Sequence, residues 1–270
     1  MMATTALSLS TEKVLARKEE GIGWLTFNQP EKRNAISIEM WDAIGAALRD
    51  FGADPAVRVV VMSGAGGKAF AAGADISQFE KVRSDAAAQE EYGRRTAAGR
   101  DAMDALTKPL VAMIQGFCIG GGMAIALRAD IRIASSDSQF AIPAAKLGIA
   151  YQHDALQRLV ALTGPAVAKE IMFTGRRFTA DQALAMRIVN TVVEPDALEE
   201  TVRMLAAEMA ANAPLSIQTS KASIDQIASH SAAKGRAAIE ALERACFDSA
   251  DYVEGRRAFM EKRKPVFQGH

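Results

Sequence analysis

Two short glycine-rich stretches hold most of the chemical interest of this chain: Phe70-Ala-Ala-Gly-Ala-Asp-Ile76 and Gly116-Phe-Cys-Ile-Gly-Gly-Gly-Met-Ala124. Small residues in such loops let a ligand approach backbone N–H groups. A helix starting at Gly121 or Gly122 would aim its free N–H groups and positive dipole end at an anionic oxygen. Two donors converging on one point make an oxyanion hole. Tight strand-to-helix packing asks for the same small residues, so composition alone leaves both readings open. A second group of functional side chains is Tyr151, Gln152, His153 and Asp154. His153 and Asp154 are sequence neighbours and do not face each other on a helix, which argues against a preformed dyad. Asp154 stands just before an apolar helical pattern and is expected to be its N-cap, with His153 a surface or capping residue. Cys118 sits in an apolar, glycine-packed segment, where a cysteine is more often a small core residue than a nucleophile.

Other chemistries fail on spacing or charge. Ala69 follows Lys68 where a phosphate-binding Walker loop needs Ser or Thr, and no Gly-x-Gly-x-x-Gly follows a strand, so nucleotide triphosphate and dinucleotide sites have no support. The 32 basic and 32 acidic residues cancel, leaving no global field for nucleic acid or an acidic membrane. Two cysteines, Cys118 and Cys246, offer neither a disulfide framework nor zinc-like spacing, which suits a reducing cytosol. The first ten residues lack the basic and apolar regions of a signal peptide, and the uncharged stretch from Pro109 to Leu127 is interrupted by Gln115 and several glycines, unlike a membrane span. No metal site is expected.

The elements that must position these residues read as α/β. Ile22 to Phe27, Val57 to Met62, Pro109 to Ile114 and Asp130 to Ala134 are β-rich runs, and Gln139 to Pro143 follows the last of them. Ile38 to Phe51 has apolar residues at helical spacing, and helical patterns return from about Asp154. Composition shifts near Asp196, beyond which no strand signal remains. The expected organisation is therefore a core over residues 1–195 and a helical region over residues 196–270. Gln78 to Thr107 is polar and helix-favouring, which suits a solvated helix or a flap over a pocket. The chain shows no internal sequence repeat.

Several segments carry a resemblance that covers the chain from about Ile22 to its end. Lys68-Ala-Phe-Ala-Ala-Gly-Ala-Asp-Ile76, Gly120-Gly-Gly122, Ala129-Asp-Ile-Arg-Ile-Ala134, Gln139-Phe140, Thr174-Gly-Arg-Arg-Phe178 and Phe259-Met-Glu-Lys-Arg-Lys264 resemble the signature segments of the crotonase, or enoyl-CoA hydratase/isomerase, superfamily. The resemblance implies a spiral of ββα units with a C-terminal helical trimerisation region, assembling as a trimer or hexamer. It implies an acyl-CoA thioester as substrate, with coenzyme A as part of that substrate and no separate cofactor. The backbone N–H groups of Ala74 and Gly121 would stabilise a thioester enolate. Lys32, Arg33 and Ala72 would lie near the adenine, and Phe259 and Lys262 would reach the nucleotide from a neighbouring subunit.

The departures from the family pattern bear directly on mechanism. By register, the two glutamates that hold water in hydratases of this family are replaced by Ala124 and Ala144. A general acid or base is worth about 10²- to 10⁴-fold in rate, so ordinary hydration is not expected. Leu147 to Gln152, Lys169 to Thr174, Phe247 to Tyr252 and Pro265 to His270 are similar to methylmalonyl-CoA decarboxylases, in which a tyrosine at the place of Tyr151 orients the substrate carboxylate. Loss of CO2 forms the enolate with no base, which suits the missing glutamates. That group differs at Ala74, where it has a histidine, and at Ala124, where it keeps a glutamate. Alternatives are a hydratase or isomerase using His153 or Asp154, a thioesterase, and an acyl-CoA-binding protein without catalysis.

Overall fold

The computed structural model of the protein describes residues 4–75, 86–147, 151–228, 241–242, 244–245 and 248–270. Strands β1 (Thr5–Ala6), β2 (Val14–Glu19) and β3 (Ile22–Phe27) form an antiparallel meander, followed by helix α1 (Ile38–Ala53). A three-part unit then recurs. Strand β4 (Val59–Gly64) leads to β5 (Ala69–Ala71) and α2 (Ala86–Asp104); β6 (Leu110–Ile114) leads to β7 (Phe117–Ile119) and α3 (Gly121–Ala126); β8 (Ile131–Ser135) leads to β9 (Gln139–Ala141) and α4 (His153–Thr174). Strand β10 (Phe178–Thr179), α5 (Ala180–Ala185) and β11 (Thr191–Val193) complete the sheets, and α6 (Leu198–Ala210), α7 (Pro214–Ala228) and α8 (Ala250–Met260) follow.

The first strand of each unit joins a seven-stranded sheet of order β1-β2-β3-β4-β6-β8-β11, and the second joins a four-stranded sheet of order β10-β9-β7-β5. The unit strands pair in parallel in both sheets. Each ββα turn thus advances both sheets by one strand, which is the spiral α/β architecture expected from the sequence.

Residue alternation divides the large sheet between two cores, as a strand period of two requires. Leu25, Val60 and Met62 turn toward Ile44, Leu48 and Phe51 of α1, whereas Trp24, Val59 and Val61 turn toward Leu198, Val202 and Ala206 of α6. Burying each large apolar side chain stabilises the fold by about 1.5–3 kcal/mol, so α6 is an integral cover of the sheet. The helical region from residue 196 therefore begins inside the core. Helix α7, by contrast, has no buried residue, and its Ile224 and Ile227 are 63% and 76% exposed. No helix among the described residues is long and apolar enough to cross a membrane.

Two contacts fix the elements around the loops singled out above. A methyl group on Gly122 would lie 2.0 Å from the Ala71 carbonyl oxygen, so only glycine lets α3 lie this close to β5. Arg128, just beyond α3 and with its side chain 2% exposed, binds Asp104 at the end of α2 and Asp154 in the first turn of α4. Asp154 is consequently not the N-cap expected from its place in the sequence. Gln152 occupies that position, and the Asp154 carboxylate is held by Arg128 instead. Desolvation pushes the Asp154 carboxyl up, but the charge of Arg128, the Ala155 backbone N–H and the Arg128 hydrogen bond together outweigh it and hold the group below its ordinary value.

Gly122→Ala must separate α3 from β5 and should destabilise the protein by about 2 kcal/mol or more, a fall of roughly 5 °C in thermal melting. Asp154→Asn gives a second check. A carboxylate whose pKa is lowered on folding stabilises at pH above its unfolded value and loses that contribution as pH falls through the folded one. Urea titrations should therefore find the variant less stable than wild type from pH 7 to 5, with the gap closing as pH approaches and passes below 3.8.

Candidate active site

The two glycine-rich loops meet. A bridge between Ile36 and Ala74 holds the first: the Ile36 N–H donates to the Gly73 carbonyl at 2.8 Å, and the Asp75 N–H donates to the Ile36 carbonyl at 3.0 Å. In this parallel bridge the peptide groups on either side of Ala74 are engaged, and the Ala74 N–H points away from Ile36. It has no acceptor among the described residues. The Asp75 carboxylate anchors the same loop through a 2.8 Å ion pair with Lys32.

The second loop turns at Gly120, whose φ of 54° and ψ of −110° belong to glycine, and α3 starts at the next residue. The Gly121 N–H, in the first turn, likewise has no acceptor among the described residues. A methyl group built on Gly121 would stand 3.2 Å from the Ala74 nitrogen, so the two backbones border one narrow gap. With only six residues, α3 supplies little macrodipole, and the donors themselves carry the electrostatics.

That gap opens into a cleft with about 210 Å³ of water-accessible space. Gly121, Ala124, Ile125 and Arg128 line it at positions i, i+3, i+4 and i+7, one face of α3 and its continuation. Ala72, Ala74, Ala144 and Tyr151 lie on the other walls. The charged side chains among the described lining residues are Arg100 and Arg128, and no carboxylate or imidazole is among them. Arg100 donates to Thr96 Oγ1 at 2.8 Å and to the Gly93 carbonyl at 3.0 Å. The acids that bind Arg128, Asp104 and Asp154, do not line the cleft.

Tyr151 is brought to the gap, but its hydroxyl points at protein. It donates to the Gly120 carbonyl at 3.1 Å. Burial pushes the phenol well above its ordinary range, the charges of Cys118 and Asp154 add to the shift, and Arg128 opposes it. The group stays protonated at any working pH. Its one proton is committed to Gly120, so in this arrangement it presents lone pairs, not a donor, to a substrate carboxylate.

The remaining sequence-predicted residues divide clearly. His153 opens α4, is exposed and does not line the cleft, so the structure does not bring it to Ala74 and Gly121. Gln152 does line it. Cys118 is fully buried in β7 and its thiol is pushed up by desolvation, which disfavours the thiolate a nucleophile needs. Arg33 adopts a left-handed conformation, accepts a 3.0 Å hydrogen bond from the Ala72 N–H, and stacks its guanidinium 5.0 Å from the centre of the Phe117 ring. Lys262 is exposed, just after α8, with φ 55°. The Phe259 side chain, Cys246 and the start of the polar segment, Gln78 to Asp85, lie outside the described residues. Arg100 and Arg128 were not singled out by sequence; the i, i+7 spacing of Gly121 and Arg128 was the available signal.

The enoyl-CoA hydratase/isomerase family profile matches residues 17–270. A crotonyl-CoA hydratase of Syntrophomonas wolfei is 33% identical over 263 residues, covering 96% of this chain and 99% of its own. A carnitinyl-CoA dehydratase of Salmonella arizonae is 35% identical, covering 91% and 94%. Among solved structures, an enoyl-CoA hydratase/carnitine racemase from Magnetospirillum magneticum superposes with a TM-score of 0.90 at 35% identity, covering 97% of each chain. By fold, by the meeting of its two glycine-rich loops and by these matches, the chain belongs to the enoyl-CoA hydratase/isomerase family.

Proposed function

We propose that this acyl-CoA enzyme is a lyase that makes its thioester enolate by losing CO2 from a malonyl-type acyl-CoA, not by removing a proton. The observation that carries this reading is a cleft with two unpaired N–H groups at one end, methyl groups at Ala124 and Ala144, and no carboxylate or imidazole among its described lining residues. Such a site can stabilise developing negative charge but offers no carboxylate to take a proton or activate water. Decarboxylation asks only for the former. The bond between the α-carbon and the carboxylate breaks, its electron pair passes through the α-carbon to the thioester oxygen, and the Ala74 and Gly121 N–H groups receive that oxygen. A proton from water then returns to the α-carbon as CO2 leaves.

Arg100 on the cleft wall, held by the neutral Thr96 hydroxyl and Gly93 carbonyl, favours an acyl group that carries a negative charge, whereas Arg128 is matched by Asp104 and Asp154. Lys32, Arg33 and Ala72 would receive the nucleotide end of coenzyme A, joined by Phe259 and Lys262 of a neighbouring copy. The crotonyl-CoA hydratase and carnitinyl-CoA dehydratase relatives favour a second reading, hydration of an enoyl-CoA, which would require an acid or base from outside the described cleft wall. His153, exposed and off that wall, is poorly placed to serve.

Assembly belongs to the same proposal. Helix α7 buries none of its residues, and Ile224, Ile227 and Met260 of α7 and α8 are more than 60% exposed, at 63%, 76% and 81%. Apolar surface of this kind is suited to a partner copy, and we place the trimer contact there.

A turnover screen over malonyl-, methylmalonyl- and crotonyl-CoA should find CO2 release from one of the first two and weak or absent hydration of the third. Crotonyl-CoA hydration at an ordinary rate of about 10 s⁻¹ or more would replace this reading with the second. Binding across the panel without turnover would leave an acyl-CoA-binding protein. For assembly, light scattering should report a trimer or a multiple of it, and the double change Ile224→Asp with Ile227→Asp should shift the population toward monomer. A wild-type monomer at micromolar concentration contradicts the trimer.

A further inference from the structure

The geometry points to Tyr151 as a positioning residue that locks the Gly120–Gly121 peptide with its N–H toward the cleft. The carbonyl that accepts the Tyr151 hydroxyl and the N–H assigned to the thioester oxygen belong to one and the same peptide group. The proposal rests on the reading of that N–H as an oxyanion donor, whatever reaction forms the enolate.

A peptide between two glycines is the kind most easily turned over, because neither neighbour has a Cβ to resist rotation. Turning it by half a revolution would exchange N–H for C=O at the gap and present an acceptor to an oxyanion. What opposes that turn is the carbonyl's own attachment. Gly120 O accepts the Ala124 N–H at 3.0 Å and the Tyr151 hydroxyl at 3.1 Å, which occupies both lone pairs. The Ala124 bond is the first intrahelical bond of a six-residue helix and is weakly supported by it. Tyr151 comes from a separate element, in the stretch before α4, and is packed against the main core.

The phenol also acts through the peptide's electrons. Donation to a carbonyl draws density toward oxygen and leaves the N–H more positive, the cooperative strengthening expected of hydrogen bonds in series, about 10–30% per bond. Because burial keeps the hydroxyl protonated, this support is constant over working pH.

Two measurements on Tyr151→Phe, which keeps the ring and removes one oxygen, test the role. The sequence holds three Gly–Gly peptides, Gly66–Gly67, Gly120–Gly121 and Gly121–Gly122, so protein labelled with carbonyl-¹³C and ¹⁵N glycine gives three filtered amide resonances. In the free protein the Gly121 resonance should move while Gly67 stays. Affinities for acetyl-CoA and for S-ethyl-CoA, its thioether counterpart without the carbonyl oxygen, supply the second readout. The wild type should prefer acetyl-CoA, and the variant should lose about 3- to 10-fold of that preference with S-ethyl-CoA affinity unchanged. A merely structural tyrosine would weaken both ligands alike. An unmoved Gly121 resonance, or a variant that keeps the full preference, overturns the proposal. A wild type that binds the two ligands equally removes the oxyanion reading and the proposal together, and is told apart because no preference exists to lose.

Discussion

The close approach of α3 to β5 is the constraint from which the site follows. Gly122 lies where any side chain would strike the Ala71 carbonyl, so the two loops stand at backbone distance. Backbone distance is what the proposed oxyanion site requires. Side-chain donors could reach across a wider gap, but two main-chain N–H groups converge only if their chains nearly touch. The small sheet creates that situation, since parallel pairing of β5 with β7 places the turn after one strand beside the turn after the other. Hydrogen bonding then decides which groups are free. The Ile36 bridge engages the Gly73 carbonyl and the Asp75 N–H, helix geometry leaves Gly121 without an intrahelical acceptor, and neither the Ala74 nor the Gly121 N–H has an acceptor among the described residues.

Long elements were legible in the sequence because their patterns are long. The run Ile22 to Phe27, the helix from Ile38 and the helix start at Gly121 agree with the structure to within a residue or two, whereas the loop expected from Gly116 contains strand β7. Strands β5, β7, β10 and β11 span two or three residues each, too few for any alternation to register. β2 escaped for a different reason: its sequence Val-Leu-Ala-Arg-Lys-Glu buries little beyond Val14 and Ala16 and ends in charge. The repeated ββα unit has no repeated sequence behind it. Successive units meet different neighbours, so backbone pairing recurs while side chains do not.

At the site, residue types told more than residue partners. Small residues in the two loops suit both backbone donors and tight packing, and the structure shows why composition alone cannot separate them: Gly122 is demanded by packing against Ala71, while Gly121 leaves its N–H at the gap. Tyr151 was noticed through a resemblance, yet its hydrogen-bond partner is 31 residues away and is set by tertiary packing. Asp154 shows the same limit. Its position before an apolar helix favours capping, but Gln152 takes the cap position, and the Asp154 carboxylate is bound by a buried arginine from another element that its sequence neighbours do not reveal. Arg128 itself reads in sequence as an ordinary residue near a helix end.

In the proposed reading, an N–H pair beside alanine at 124 and 144 provides one of two separable functions. Stabilising an enolate and moving a proton have different structural demands: the first needs fixed dipoles in a narrow space, the second a titratable group with a suitable pKa within reach of the reacting atom. The fold supplies the first through its backbone, so it survives wherever the glycines and the loop contact survive. The second depends on single side chains, and the methyl groups of Ala124 and Ala144 cannot supply it. Ala124 lies one turn along α3 from Gly121, and Ala144 opens the short 3₁₀ turn after β9, so both residues line the cleft, and it is the Ala124 backbone, not its methyl group, that helps hold the Gly120–Gly121 peptide. A site of this construction is free to take substrates whose own bond cleavage delivers the electrons. In that reading the Arg100 guanidinium, held by the neutral Thr96 hydroxyl and Gly93 carbonyl, has a role that a neutral enoyl group would leave unused.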